Sequence, residues 1–242
     1  MYSLVKRIFD IAFSLAAILL ILPFMIPIVL GLLLTGEHYV FYFQKRIGYK
    51  NRMFYIWKFA TMLKNSPKLA GGIITTTGDP RILPMGHFLR KTKINELPQF
   101  INVLKGDMSF VGPRPLMKEA SFDLYPPDVQ AVVYNVRPGI TGIGSIIFRN
   151  EEELMTQVKE EGGDPKYYYE KVILPYKGRV EKWYQANQSF LLDFSILVCT
   201  VLVIVFPEAN FLPKLYPDIP KEDLRGLIFE SKSEQLATAQ EV

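Results

Sequence analysis

Five cations, Arg90, Lys91, Lys93, Lys105 and Arg114, share residues 89–115 with only two acids, Glu96 and Asp107. The stretch reads LRKTKINELPQFINVLKGDMSFVGPRP. Cations arranged around isolated carboxylates suit a phosphorylated substrate and a divalent metal. Arginine grips phosphate oxygens through a planar fork that lysine lacks, which singles out Arg90 and Arg114. The Gly-Pro-Arg-Pro turn holds Arg114 between two residues of fixed φ.

The elements that must position these groups follow from pattern. From Ile94 the apolar residues Ile94, Leu97, Ile101 and Leu104 fall on one helical face. Pro98 is tolerated only in a first turn, so the spacing predicts a helix starting at Asn95 or Glu96, with Asn95 as its N-cap. Glu96 would then sit beside free amide groups that attract phosphate. Upstream, residues 39–59 hold two aromatic and β-branched runs around a turn at 48–51, the pattern of a hairpin. Residues 66–79 form a polar, Gly-rich loop, and Asp79-Pro80 reads as a turn. Downstream, residues 136–142 (VRPGITG) fix a tight turn where backbone can approach a ligand closely. Residues 151–161 read as a charged, solvated helix stopped by Gly162-Gly163-Asp164-Pro165. Residues 195–206 are a short apolar run, and residues 207–242 read as a mobile tail, with a short helix expected near residues 222–229.

Residues 11–34 are almost wholly apolar and long enough to cross a hydrocarbon core as a helix. Pro23 and Pro27 interrupt this run and favour a break. Lys6 and Arg7 precede it; Lys45, Arg46, Lys50 and Arg52 follow it. Positive charge on both flanks favours one side of the membrane for both ends. The residues alone leave two forms open, a re-entrant helix and a proline-kinked spanning anchor.

Composition narrows the remaining classes. The chain has 242 residues and is 49% hydrophobic and 21% charged, so apolar residues are concentrated in segments. A net charge of +4 does not call for nucleic acid. The one cysteine, Cys199, sits in an apolar run and reads as a buried, inert thiol. His38 and His87 lack ligand spacing, which argues against zinc.

The joint occurrence of the 89–115 stretch and Arg137-Pro138-Gly139-Ile140-Thr141-Gly142 resembles the bacterial sugar transferases. These are small monotopic phosphoglycosyl transferases, which move a sugar 1-phosphate from a nucleotide sugar to a polyprenyl phosphate. Gln44, Arg46 and Gly48 match the family's Gln-x-Arg-x-Gly, and Lys58-Phe59 its Lys-Phe pair. Asp79-Pro80-Arg81, Gly86 to Arg90, Lys182-Trp183-Tyr184 and residues 187–194 match further segments. The resemblance covers roughly residues 2–204 and is weakest after Gly142, where sugar discrimination would lie.

The resemblance implies an α/β fold: a small soluble domain on an N-terminal re-entrant membrane helix, with interfacial amphipathic helices. The expected divisions are residues 1–36 for the membrane-dipping helix, 37–206 for the transferase domain and 207–242 for the tail. It implies a UDP-sugar donor, a polyprenyl phosphate acceptor, membrane lipid and Mg2+. It implies bacterial glycan assembly at the cytoplasmic face of the inner membrane. A second copy of the chain or downstream glycosyltransferases are the protein partners it suggests. The candidate catalytic residues are Glu96, Asn95 and Asp107. Arg90, Arg114, Arg137 and Lys58 are the candidate phosphate ligands, and Glu96 is the candidate metal ligand. One departure matters: the family reads Asp-Glu where this chain reads Asn95-Glu96. The family aspartate is the nucleophile of a covalent phosphosugar intermediate, a role a neutral amide cannot fill. Glu96 could attack instead, the acceptor phosphate could attack directly, or the chain could be a non-catalytic membrane module that binds a nucleotide sugar or a partner transferase.

Overall fold

A computed structural model describes residues 2–69, 78–206 and 211–224. The first helix, α1 (Tyr2–Leu34), runs through Pro23 and Pro27 without leaving helical assignment. It is long and apolar enough to cross a membrane. Its first turns are bound to the rest of the chain by charge. Arg7 donates to the carbonyls of Val103 at 2.7 Å and Leu104 at 2.9 Å. Asp10 accepts from the Ser109 hydroxyl and the Phe110 amide, both at 3.0 Å. Lys6 pairs with Asp193 and donates to Val111 O at 2.8 Å. The far end is held by packing, with Leu32 buried against Phe59 and Leu89. Between these ends Leu19, Leu20, Leu22, Phe24 and Ile26 stay exposed.

The expected hairpin is present as antiparallel β1 (Phe41–Ile47) and β2 (Met53–Phe59). Strand alternation puts Tyr42, Gln44 and Arg46 on one face with their partners Lys58, Ile56 and Phe54. The free edge of β2 is satisfied by a side chain. Asn102, fully buried, accepts from Trp57 N at 2.9 Å and donates to Tyr55 O at 2.8 Å. This ties α3 (Gln99–Lys105) to the hairpin. Before α3 comes α2 (Pro84–Lys91). Asp79, read from sequence as a turn residue, also holds Arg81 in a buried ion pair, with Nε 2.9 Å from Oδ1.

Two three-residue strands, β3 (Ser109–Val111) and β4 (Gly139–Thr141), pair in parallel. Each adjoins one of the two turn motifs, so the motifs meet backbone to backbone. A Cβ on Gly112 would lie 2.3 Å from Arg137 O, and one on Gly139 would lie 2.2 Å from Gly112 N. Only glycine permits that approach.

Between β3 and β4 lies α4 (Pro127–Gln130). The second half of the chain is helical: α5 (Ile143–Ile147), α6 (Glu151–Glu160), α7 (Pro165–Tyr168), α8 (Leu174–Ala186), α9 (Phe190–Val205) and α10 (Leu212–Leu215). α6 is the charged helix expected from sequence. Ser189 caps α9, its hydroxyl accepting from Leu192 N at 3.1 Å. The helices surround Ile143, Tyr168, Val180, Tyr184, Ile196 and Leu212.

The mobile-tail expectation needs correction for residues 211–224. Leu212 and Ile219 are buried in that core, and Tyr176 donates to Pro220 O at 3.0 Å. Apolar side chains and this bond hold a segment whose proline and charge content suggested a loose end. Residues 207–210 and 225–242, the rest of that tail and most of the short helix expected at 222–229, lie outside the described residues.

Candidate active site

Glu96 sits in a single 3-10 turn, Ile94–Glu96, ahead of α3. The helix does not start at Asn95 or Glu96, and Asn95 makes no capping bond: α3 begins at Gln99 with Pro98 in the cap position. Pro98 has no N–H to donate back into the preceding turn, so the ladder divides there. Asn95 is buried instead, at 7% exposure, and its Oδ1 has no hydrogen-bond partner among the described residues. An unpaired buried acceptor costs about 1–3 kcal/mol, which makes it a place to look for a ligand.

The hairpin and the Gly-Pro-Arg-Pro turn bring cations to Glu96. Lys58 Nζ donates to Glu96 Oε1 at 3.0 Å. Arg114 is exposed and makes no hydrogen bond or ion pair through its guanidinium among the described residues. Arg46 is half-buried; its Nε donates to Gln44 Oε1 at 3.1 Å and its Nη1 to Pro115 O at 3.2 Å. Burial alone would raise the Glu96 carboxyl. The charges of Lys58, Arg114 and Lys93 and the Lys58 hydrogen bond outweigh it and hold the group well below the usual carboxylate range. Burial pulls Lys58 down against the attraction of Glu96, and Arg114 and Arg46 push it further. Burial, then repulsion from Arg114, brings Arg46 down to about 10. Cations crowded closely enough to depress each other around one carboxylate form a site that favours a polyanion.

The other sequence candidates are dispersed. Asp107 lies past the opposite end of α3, paired with Lys105 at 3.1 Å and accepting from Asn102 Nδ2 at 3.2 Å. Seven helical residues put roughly 10 Å of rise between that end and the Glu96 end. Arg137 is at the Asp107 end too, its Nε donating to Gly106 O at 2.8 Å and its guanidinium over the Tyr49 ring. Arg90, in the last turn of α2, reaches Met62 Sδ at 4.0 Å. Pro23 and Pro27 lie within α1, away from this cluster. Arg46, left out of the sequence candidates for phosphate binding, belongs to the cluster. Its signal was the Gln-x-Arg-x-Gly motif, with Gln44 holding the guanidinium two residues away.

A cavity of about 310 Å³ opens beside the cluster. It lies between the middle of α1 and the start of α3, and Ile18, Met25, Val29, Phe41, Pro98 and Ile101 line it. Leu97, adjacent to Glu96, is part of the same wall. The lining is apolar and includes none of the cluster's charged side chains; the two are joined at the Glu96–Leu97 step of the chain.

Among the described residues no group of three or more His, Cys, Asp or Glu comes together. Such a donor set excludes an all-protein cage there but fits magnesium, which takes one or two protein oxygens and completes its shell with phosphate and water. Glu96, partly exposed beside the cations, is the protein oxygen donor such a metal would use.

The chain matches the family described as bacterial sugar transferase over residues 1–207. The UDP-galactose-lipid carrier transferase of Erwinia amylovora is 32% identical over 214 residues, covering 83% of this chain and 40% of that protein. The UDP-N-acetylgalactosamine-undecaprenyl-phosphate N-acetylgalactosaminephosphotransferase of Aeromonas hydrophila is 39% identical over 149 residues, covering 60% and 34%. The uncharacterized sugar transferase EpsL of Bacillus subtilis is 35% identical over 208 residues, covering 85% and 89%. The chain thus spans two fifths or less of the first two proteins and most of the third.

Proposed function

The chain belongs to the bacterial sugar transferase family, and on that premise we propose that it transfers a sugar 1-phosphate from a UDP-sugar to polyprenyl phosphate. The reaction takes place at the cytoplasmic face of the inner membrane and starts a bacterial glycan. The observation that carries this reading is the Glu96–Leu97 step, which joins the charged cluster to the wall of the apolar cavity. A lipid phosphate has the same two halves: an isoprenoid chain for the cavity and a charged head for the cations.

The donor diphosphate binds to Arg114, Arg46 and Lys58. Glu96 would hold magnesium, which would supply charge neutralisation for the diphosphate and the leaving nucleotide. An oxygen of the acceptor phosphate attacks the sugar-bearing phosphorus. The bond from that phosphorus to the bridging oxygen breaks, and uridine monophosphate leaves with the electron pair. The products are polyprenyl diphosphate sugar and uridine monophosphate. Direct attack suits this chain because Asn95 is neutral and Glu96 is held charged, weakly basic and tied to Lys58. The product lipid is the substrate class of downstream glycosyltransferases.

The membrane arrangement follows the same logic. Both ends of α1 bind one folded body while its middle exposes apolar residues. α9 exposes Leu191, Phe194, Val201, Ile204 and Val205. These features support a helix that dips in and returns, with α9 at the interface. A cysteine at position 3 should label from the cytoplasmic side; labelling only from outside intact cells would sink the re-entrant arrangement.

Turnover tests the function. Purified protein in vesicles with undecaprenyl phosphate and magnesium should release uridine monophosphate from UDP-galactose, UDP-N-acetylgalactosamine or UDP-glucose. A phosphosugar adduct on Glu96, seen by intact-protein mass spectrometry with donor alone, would replace direct attack with a covalent route. Donor binding without turnover would make the chain a non-catalytic module.

A further inference from the structure

The turn that carries Arg114 is completed by a side chain from elsewhere. Tyr134 lies between α4 and β4 and is 1% exposed. Its hydroxyl donates to Arg114 O at 2.7 Å and accepts from Leu116 N at 2.8 Å. One oxygen therefore bridges the residues on either side of Pro115, which has no N–H with which to close the turn itself. The ring is fixed by stacking on Phe122, centroids 5.7 Å apart. The bridged turn then holds β1: Pro115 O receives Arg46 Nη1, and Leu116 O receives Ile47 N at 2.9 Å.

We propose that Tyr134 is the positioning residue of this site, its hydroxyl setting the Arg114 turn so that Arg114 and Arg46 converge on the donor diphosphate. The inference rests on reading the Glu96 cluster as the donor-phosphate site. Tyr134 does not touch substrate. Its effect passes through Arg114, and that gives the test its form.

A double-mutant cycle in turnover of the UDP-sugar panel separates positioning from simple stabilisation. Tyr134→Phe keeps the ring and leaves Arg114 O and Leu116 N unpaired. It should lower kcat/KM about tenfold in the wild-type background and less than about twofold in Arg114→Lys, because the fork it aims is already gone. Tyr176→Phe, which loses a hydroxyl bond of similar kind to Pro220 O, should lower the melting temperature and leave turnover alone. An equal loss from Tyr134→Phe in both backgrounds would overturn the positioning role while leaving the donor site standing. Arg114→Lys at full wild-type activity would overturn both. If Tyr134→Phe does not fold, Phe122→Leu takes its place in the cycle: it removes the ring on which Tyr134 stacks, with the same non-additive result expected and the same additive result overturning the role.

Discussion

The two ends of α3 carry the same residue types and use them oppositely. At the Glu96 end, Lys58, Arg46 and Arg114 crowd around one carboxylate, and the exposed Arg114 guanidinium makes no hydrogen bond or ion pair among the described residues. At the Asp107 end, Arg7 and Arg137 donate to the carbonyls of Val103, Leu104 and Gly106, and Lys105 pairs with Asp107. Those carbonyls are the acceptors a helix C-terminus leaves unsatisfied, and they carry its partial negative charge. Cations there complete the protein's own hydrogen bonding. At the Glu96 end Arg46 is likewise committed to Gln44 and Pro115 O and Lys58 gives a bond to Glu96, but Arg114 keeps its whole guanidinium for phosphate. A cation's role is set by how many of its donors the fold has already used.

The sharpest break of that contrast is Glu96→Gln. It removes the carboxylate that balances the cluster and would hold metal, and turnover should fall on the order of a hundredfold or more, by analogy with loss of one key electrostatic group. Retained activity would move the site elsewhere. Arg114→Lys keeps the charge and loses the planar fork, so kcat/KM should fall about tenfold with the melting temperature kept.

Acid should distinguish the Glu96 end thermodynamically. In the folded chain the Glu96 carboxyl is held below its ordinary value, so the unfolded chain binds its proton first as pH falls. Its contribution to stability is present above the ordinary glutamate range and is lost as pH drops through and below it. Thermal melts from pH 6 to pH 3 should decline more steeply for wild type than for Glu96→Gln; parallel curves would contradict the ion-pair account. The smallest effect belongs to the other end. Asp107→Asn should lower stability by about 1 kcal/mol, a shift of a few degrees, and cost turnover less than Arg114→Lys does. A larger loss of turnover than at Arg114, with stability unchanged, would bring Asp107 back into the chemistry.

Much of this molecule was legible in the order of its residues. The hairpin followed from two aromatic, β-branched runs around a turn, and α6 from a charged segment ended by two glycines. The Gly-Pro-Arg-Pro and Arg-Pro-Gly-Ile-Thr-Gly turns stood out because only glycine allows backbones to meet as Gly112 and Gly139 do. The surplus of cations over acids in residues 89–115 was legible, but not which of them would gather: Arg114 lies by Glu96, while Lys105 pairs with Asp107 and Arg90 reaches Met62. Asn95 misled because good capping residues also serve in buried positions, and Pro98 divided the helix that Asn95 was expected to cap. Lys6 and Arg7, read from sequence as a charged flank, also bind Asp193 and the end of α3, which the sequence did not reveal.

The sequence by itself determined the long apolar helix, the hairpin, the two turns and a local surplus of positive charge, because each is a local pattern of residue type and spacing. Only the tertiary structure decided which acid the cations surround, that Arg46 joins them, that Tyr134 bridges Pro115 and that both ends of α1 contact the rest of the chain. Each of those depends on contacts between residues about 20 to 190 positions apart in the chain, such as Tyr134 with Arg114, Lys58 with Glu96 and Lys6 with Asp193. Local pattern fixes a residue's conformation and charge, while its partners are fixed by the packing that brings distant segments together.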